Sequence, residues 1–164
     1  MVAILHNVRS LHNVGSILRT ADAAGVEKVY LCGITPAPVD RFGKVRPQLA
    51  KVSLGAERFI QWDGSARSPR AVSQLLERLK TEGYKIFAIE QSGESIPYFK
   101  VKVKSKNSKV ALVCGNEVIG LAKPILEKSD KILEIPMSGQ KESLNVAVAF
   151  GIVVFRINES LRKN

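Results

Sequence analysis

Short apolar runs and amphipathic stretches take turns along the chain. Residues 2–5 are apolar at successive positions, as are Lys28–Cys32, residues 85–89 and Lys109–Cys114 after their leading lysines, and residues 131–135 form a plausible fifth run. Runs that are apolar on both faces predict the buried strands of a parallel sheet covered by helices. Residues 14–24 predict a helix stopped by Gly25, and residues 68–81 an amphipathic helix. In the second, Pro69 sits in the first turn, Val72, Leu75, Leu76 and Leu79 share one face, and Gly83 marks the end. The alternation predicts an α/β fold with a mainly parallel sheet flanked by helices. Residues 144–155 predict a last helix that is apolar almost all round. Such a helix needs burial on most sides, so one side is expected on the sheet and another against a second copy of the chain.

Composition narrows the function classes. Twenty-five Lys and Arg against 15 Asp and Glu give a net charge of +10, which favours a polyanionic partner such as nucleic acid. The 164 residues fit one domain. The N-terminus lacks the features of a secretory signal. The longest uncharged, mainly apolar run, residues 143–155, is shorter than the roughly 20 residues that span a bilayer. A cytoplasmic protein without a membrane anchor is therefore expected. Two cysteines, Cys32 and Cys114, exclude a disulfide framework or a four-cysteine zinc site, and no metal is expected. Two basic segments stand out. Residues 41–51, loop-like and carrying Arg41, Lys44 and Arg46, are the better candidate for RNA phosphates. Residues 100–109 hold five lysines and read either as an edge strand guarded by charge or as an RNA-facing surface.

No P-loop or dinucleotide fingerprint is present. Three polar clusters remain, each where a strand hands over to a helix. In the first, Asn13 can cap a helix, Gly15 can let a phosphate or substrate approach its amides, and Arg19 can reach the same region. In the second, Gly115-Asn116-Glu117 follows a buried strand, the usual ligand side of a parallel sheet, although a carboxylate there also suits a simple cap. The third runs from Ile135 through Met137, Gly139 and Ser143 to Leu144 and Asn145, a Pro/Gly loop opening the apolar helix.

Together the clusters resemble the three motifs of the SpoU (TrmH-type) family of RNA ribose 2′-O-methyltransferases, in the SPOUT superfamily. Asn13-x-Gly15-x-x-x-Arg19-Thr20 carries the first and Gly115-Asn116-Glu117-x-x-Gly120-Leu121 the second. Ile135-Pro136-Met137-x-Gly139 with Ser143-Leu144-Asn145-Val146-Ala147-Val148-Ala149 carries the third. Val118 departs from the small residue that relatives often have. The resemblance implies a C-terminal deep trefoil knot over residues 110–155, a homodimer and S-adenosylmethionine as methyl donor. It implies donor binding by Gly115, Ile135, Met137, Gly139 and Leu144, and catalysis by Arg19, Asn13, Glu117, Ser143 and Asn145. In that reading Arg19 acts as base or as charge stabiliser, and Glu117 braces the arginine or its neighbours. The substrate is expected to be transfer or ribosomal RNA, with no auxiliary RNA-binding domain in these residues. A catalytically silent RNA-binding or assembly protein of the same fold is the alternative.

Overall fold

The computed structural model describes residues 1–103 and 105–162. One seven-stranded sheet runs through them in the order β3-β2-β1-β6-β4-β7-β5, parallel throughout. The strands are β1 (Val2–His6), β2 (Lys28–Cys32), β3 (Gln61–Asp63), β4 (Tyr84–Ile89), β5 (Ile96–Pro97), β6 (Lys109–Cys114) and β7 (Lys131–Glu134). The helices are α1 (Leu11–Ala23), α2 (Pro47–Ser53), α3 (Pro69–Thr81), α4 (Lys123–Glu127) and α5 (Val146–Arg162).

Alternation along the strands divides the core in two. Ala3, Leu5, Val29, Leu31, Leu112 and Cys114 face α1 and α5, where Ile17, Leu18, Phe150, Val153 and Val154 pack. Ile4, Tyr30, Ile86 and Val113 face α3 and α4, against Val72, Leu76, Leu79 and Ile125. All five expected strands are present. β3 and β5 are additions, three and two residues long, too short to carry a period.

Several boundaries differ from expectation. Helix α1 begins at Leu11 because the Ser10 side chain, not Asn13, caps it by accepting from the Asn13 amide. Helix α5 starts at Val146 and runs on to Arg162. Its second half is amphipathic, with Ile157 buried and Arg162 exposed. The basic stretch 41–51 is not all loop: Pro47 starts α2, which places Lys51 in its last turn. Residues 101–103 form no strand. Val101 and Val103 instead bury their side chains in the core, and the Val103 amide donates to Ser160 Oγ on α5. Lys104, part of that lysine alternation, lies outside the described residues. No helix among the described residues is long and apolar enough to cross a membrane.

Candidate active site

Because every strand runs the same way, the loops after β1, β4, β6 and β7 gather at one edge of the sheet. The chain leaves β1 toward β2 on one side, while β6 inserts between β1 and β4. A crevice at the carboxyl ends of strands beside such a reversal is where open α/β sheets bind ligands.

A cleft of about 180 Å³ opens there. Ile89, Glu90 and Gln91 at the end of β4, residues 114–118 and Gly120 at and after the end of β6, and Leu133, Glu134, Ile135, Met137, Ser143, Leu144, Val146 and Ala149 line it. Of the residues expected to hold a donor, Gly115, Ile135, Met137 and Leu144 are on its wall; Gly139 is exposed and is not. Ser143 is on the wall as well.

Three residues from separate motifs join beside this cleft in one hydrogen-bonded chain. Asn145 Nδ2 donates to Asn13 Oδ1 at 3.0 Å, and Asn13 Nδ2 donates to Glu117 Oε1 at 2.9 Å. Glu117 also accepts from the Ser10 and Arg9 amides, both at 3.1 Å. Asn145 Oδ1 in turn accepts from the Ala147 and Val148 amides at the start of α5. Glu117 thus holds the entry to α1, and Asn145 the entry to α5. Asn13, 7% exposed, ties the two with both side-chain functions paired. Partial burial pulls the Glu117 pKa up, but the bonds from the Arg9 amide, the Asn13 side chain, its own backbone and the Ser10 amide outweigh this. Its carboxyl is left below the ordinary range.

The loop 115–121 is folded on itself. Asn116 and Gly120 exchange backbone bonds at 3.2 and 3.1 Å, Asn116 Oδ1 accepts from the Val118 and Ile119 amides, and Asn116 Nδ2 donates to the Asn7 carbonyl. A Cβ on Gly115 would sit 2.6 Å from the Gly120 carbonyl carbon, so Gly115 is needed for this closure as well as for the cleft wall. Sequence reasoning missed the two residues that fasten the loops together. Glu90 Oε2 accepts from the Leu121 amide at 2.8 Å, and Gln91 Nε2 donates to the Glu142 carbonyl at 2.8 Å. Directly after β4, the pair ties the β6 loop and the β7 loop to one strand end. The sequence signal was a charged-polar pair ending an apolar run, which is common.

Two expectations are corrected by this geometry. Gly15 does not open the helix start to a ligand: a Cβ there would lie 2.6 Å from Val52 Cγ2 and 2.8 Å from the Leu49 carbonyl oxygen. It lets α2 pack close on α1. Arg19 does not join the cluster within the chain. Six residues beyond Asn13, it lies about 120° round the helix and roughly 9 Å along it. It is exposed, is not on the cleft wall and has no hydrogen-bond or ion-pair partner among the described residues. Glu117 accordingly braces Asn13 and the backbone before α1, not the arginine.

The cleft's charges are all of one sign. Among the described residues, Glu90, Glu117 and Glu134 line it and no Lys or Arg does, although the whole chain carries +10. Cys114, 1% exposed on the same wall, has its pKa pushed up to about 12 by burial and then by Glu90, so it stays a neutral thiol. Among the described residues no group of His, Cys, Asp and Glu is placed to hold a metal ion.

Of the RNA candidates, Arg41 and Lys44 are exposed on the loop before α2. Arg46 is half-buried and turns Nε back to the Ala37 and Val39 carbonyls, so it holds the loop's shape.

The chain is similar to proteins of known activity. It is 32% identical over 156 residues to a tRNA (guanosine(18)-2′-O)-methyltransferase of Aquifex aeolicus, covering 94% of this chain and 67% of that one. It is 31% identical over 157 residues to a 23S rRNA (guanosine-2′-O-)-methyltransferase of Haemophilus ducreyi, covering 96% and 58%. An AdoMet-bound rRNA methyltransferase from Sinorhizobium meliloti superposes with a TM-score of 0.80 at 28% identity, over 96% of this chain and 55% of that one. The chain spans about two thirds or less of the length of these relatives. With the profile of the SpoU rRNA Methylase family matching residues 1–155, the three-motif junction has its context: the chain belongs to the SpoU rRNA Methylase family.

Proposed function

We propose that this protein transfers a methyl group from S-adenosylmethionine to a ribose 2′-oxygen of transfer or ribosomal RNA, as a homodimer in the cytoplasm. The observation that carries the reading is the hydrogen-bonded chain Asn145–Asn13–Glu117, built from three distant segments beside one cleft. Residues 1–164 act as one methyltransferase unit in this reading, supported by a single continuous sheet. The knot over residues 110–155 is part of it, supported by the chain's return from β7, outside β4, to an α5 packed on α1. The two buried, unpaired thiols suit a reducing compartment.

The cleft fits the donor. Ile89, Leu133, Ile135, Met137 and Val146 offer apolar walls for a nucleoside, and the carboxylates with no cation favour a positive sulfonium. Bound there, S-adenosylmethionine supplies a methyl already activated for displacement. The 2′-oxygen forms the new O–CH3 bond as the S–CH3 bond breaks, and the hydroxyl proton passes to solvent. The chain's own work is to position the hydroxyl and to favour its loss of a proton. Asn13 and Asn145 fix the loops that face the ribose. Cys114, held as a neutral thiol, does not compete for the methyl group.

Arg19 serves as a cation that grips a phosphate and stabilises the developing alkoxide, since a guanidinium with a pKa above about 12 is a poor base. It does so at the site of the second subunit. Supporting this, Arg19 has no hydrogen-bond or ion-pair partner among the described residues, while Val148 and Phe155, each 51% exposed, leave an apolar side of α5 uncovered. Helix α1 lies against that helix, with a Cβ on Gly151 reaching to 3.7 Å from Thr20 Cγ2.

Incubation with methyl-labelled donor and total RNA, followed by digestion to nucleosides, is expected to give labelled 2′-O-methyl nucleosides. Label on a base, or no label, would overturn the reading; RNA binding without label would leave the catalytically silent RNA-binding protein.

A further inference from the structure

The loop before α2 is a built hairpin that presents an aromatic ring. Val39 and Val45 form an antiparallel bridge. The Asp40 amide donates to the Lys44 carbonyl at 2.8 Å, and Asp40 Oδ1 accepts from the Phe42 and Lys44 amides at 2.8 and 3.0 Å. Gly43 completes the turn at φ +76°, a conformation that costs a glycine little. At its tip Phe42 is 72% exposed, with the Arg41 guanidinium 4.7 Å from the ring centroid. Lys44 follows, exposed.

The root of this hairpin is fastened to the candidate active site. Buried Thr35 donates through Oγ1 to the Leu5 carbonyl at 2.8 Å and accepts from the Val8 amide at 3.1 Å. The Ile34 amide donates to Asn7 Oδ1 at 3.1 Å, and the Asn7 carbonyl accepts from Asn116 of the β6 loop. The hairpin therefore stands at the same edge of the sheet as Asn13 and Glu117, held by the segment that leads into α1.

A rigid loop that exposes a phenyl ring between two cations has the three things that unpaired nucleotides bind: a stacking face, phosphate partners and little ordering entropy to lose. We propose that Phe42 stacks on an unpaired base of the RNA substrate, with Arg41 and Lys44 holding the adjoining phosphates. The tip is thus a reader of single-stranded RNA next to the methylation site. The inference rests on RNA being the substrate. A second copy of the chain is the competing occupant of an exposed ring, but two flanking cations on a chain of net charge +10 oppose pairing with itself.

The test is equilibrium binding without methyl donor, using unfractionated transfer RNA and a fully paired RNA duplex as probes across a range of salt. Phe42→Ala is expected to weaken transfer RNA binding about tenfold, as loss of one stacked base does. It should leave the duplex affinity, the salt dependence and the oligomeric mass unchanged. Phe42→Trp should restore binding. Lys44→Ala should instead flatten the log–log salt slope by about 0.7 to 0.9. Unchanged transfer RNA affinity in Phe42→Ala, an equal loss on the duplex, or a change of oligomeric mass would overturn the proposal. If the unaltered protein binds neither probe, it is the RNA reading itself that fails.

Discussion

Two positions on α1 face different surroundings. At the inner end Asn13 is buried, donates to Glu117 and accepts from Asn145, so its environment is complete within one chain. Further along the helix Arg19 is exposed and pairs with nothing among the described residues. Both belong to the same sequence motif. The inner region is preorganised: its polar groups are satisfied before any ligand arrives, and removing one partner strands the others. The outer region lacks its counterpart, and the half-exposed Val148 and Phe155 of α5 lack one too. One motif thus carries both a residue whose bonds are complete within the chain and a cation left exposed, and the proposed two-subunit site is the reading under which the two act together.

The sharpest way to break the comparison is at Arg19. Arg19→Ala is expected to lower the methylation rate by about 10² to 10³, the usual cost of removing a group that stabilises developing charge. Calorimetry should show donor binding and thermal stability unchanged. Glu117→Ala should act in the opposite sense, through the frame. It leaves Asn13 Nδ2 and the Arg9 and Ser10 amides without their acceptor, and chemical denaturation should show a loss of about 1–3 kcal/mol. Gly15→Ala should cost a comparable or smaller amount, about 1–3 kcal/mol for overpacking, as the new methyl meets Val52 and the Leu49 carbonyl. Its donor affinity should be unchanged, whereas a glycine kept for ligand approach would lose affinity.

The smallest effect is in pH. Because the fold lowers the Glu117 pKa, its stabilising contribution is present above the unfolded value, about 4.3 for a glutamate, and is lost as pH falls through the folded value. The stability difference between the unaltered protein and Glu117→Gln should therefore narrow on acidification below that range, and stay constant from there to neutral pH.

The central strands were legible because their apolar character on both faces leaves no solvent side to conceal. β3 and β5 were not, since two or three residues at a sheet edge carry no periodicity. The basic residues around Pro47 hid α2, whose identity depends on Leu49 finding cover beneath α1. The members of the junction, Asn13, Glu117 and Asn145, were legible by motif, but their bonding was not, since it depends on β6 lying next to β1 across a hundred residues of sequence. Gly15 was misread because a glycine near a helix start looks the same whether a ligand or a second helix approaches it. Glu90 and Gln91 had no motif to announce them; only the sheet order brings loops 115–121 and 135–145 to the end of β4.

The claim that the frame and the cation of one site come from different subunits is tested most directly by mixing two inactive variants. Arg19→Ala keeps an intact junction, and Asn145→Ala keeps an intact arginine. Co-expressed and exchanged at random, half of the dimers are mixed and one of their two sites is whole. The mixture is therefore expected to recover about a quarter of the unaltered protein's methylation rate, as a two-fold symmetric dimer requires. If mixed dimers form and the mixture stays as inactive as either variant alone, the shared site is contradicted.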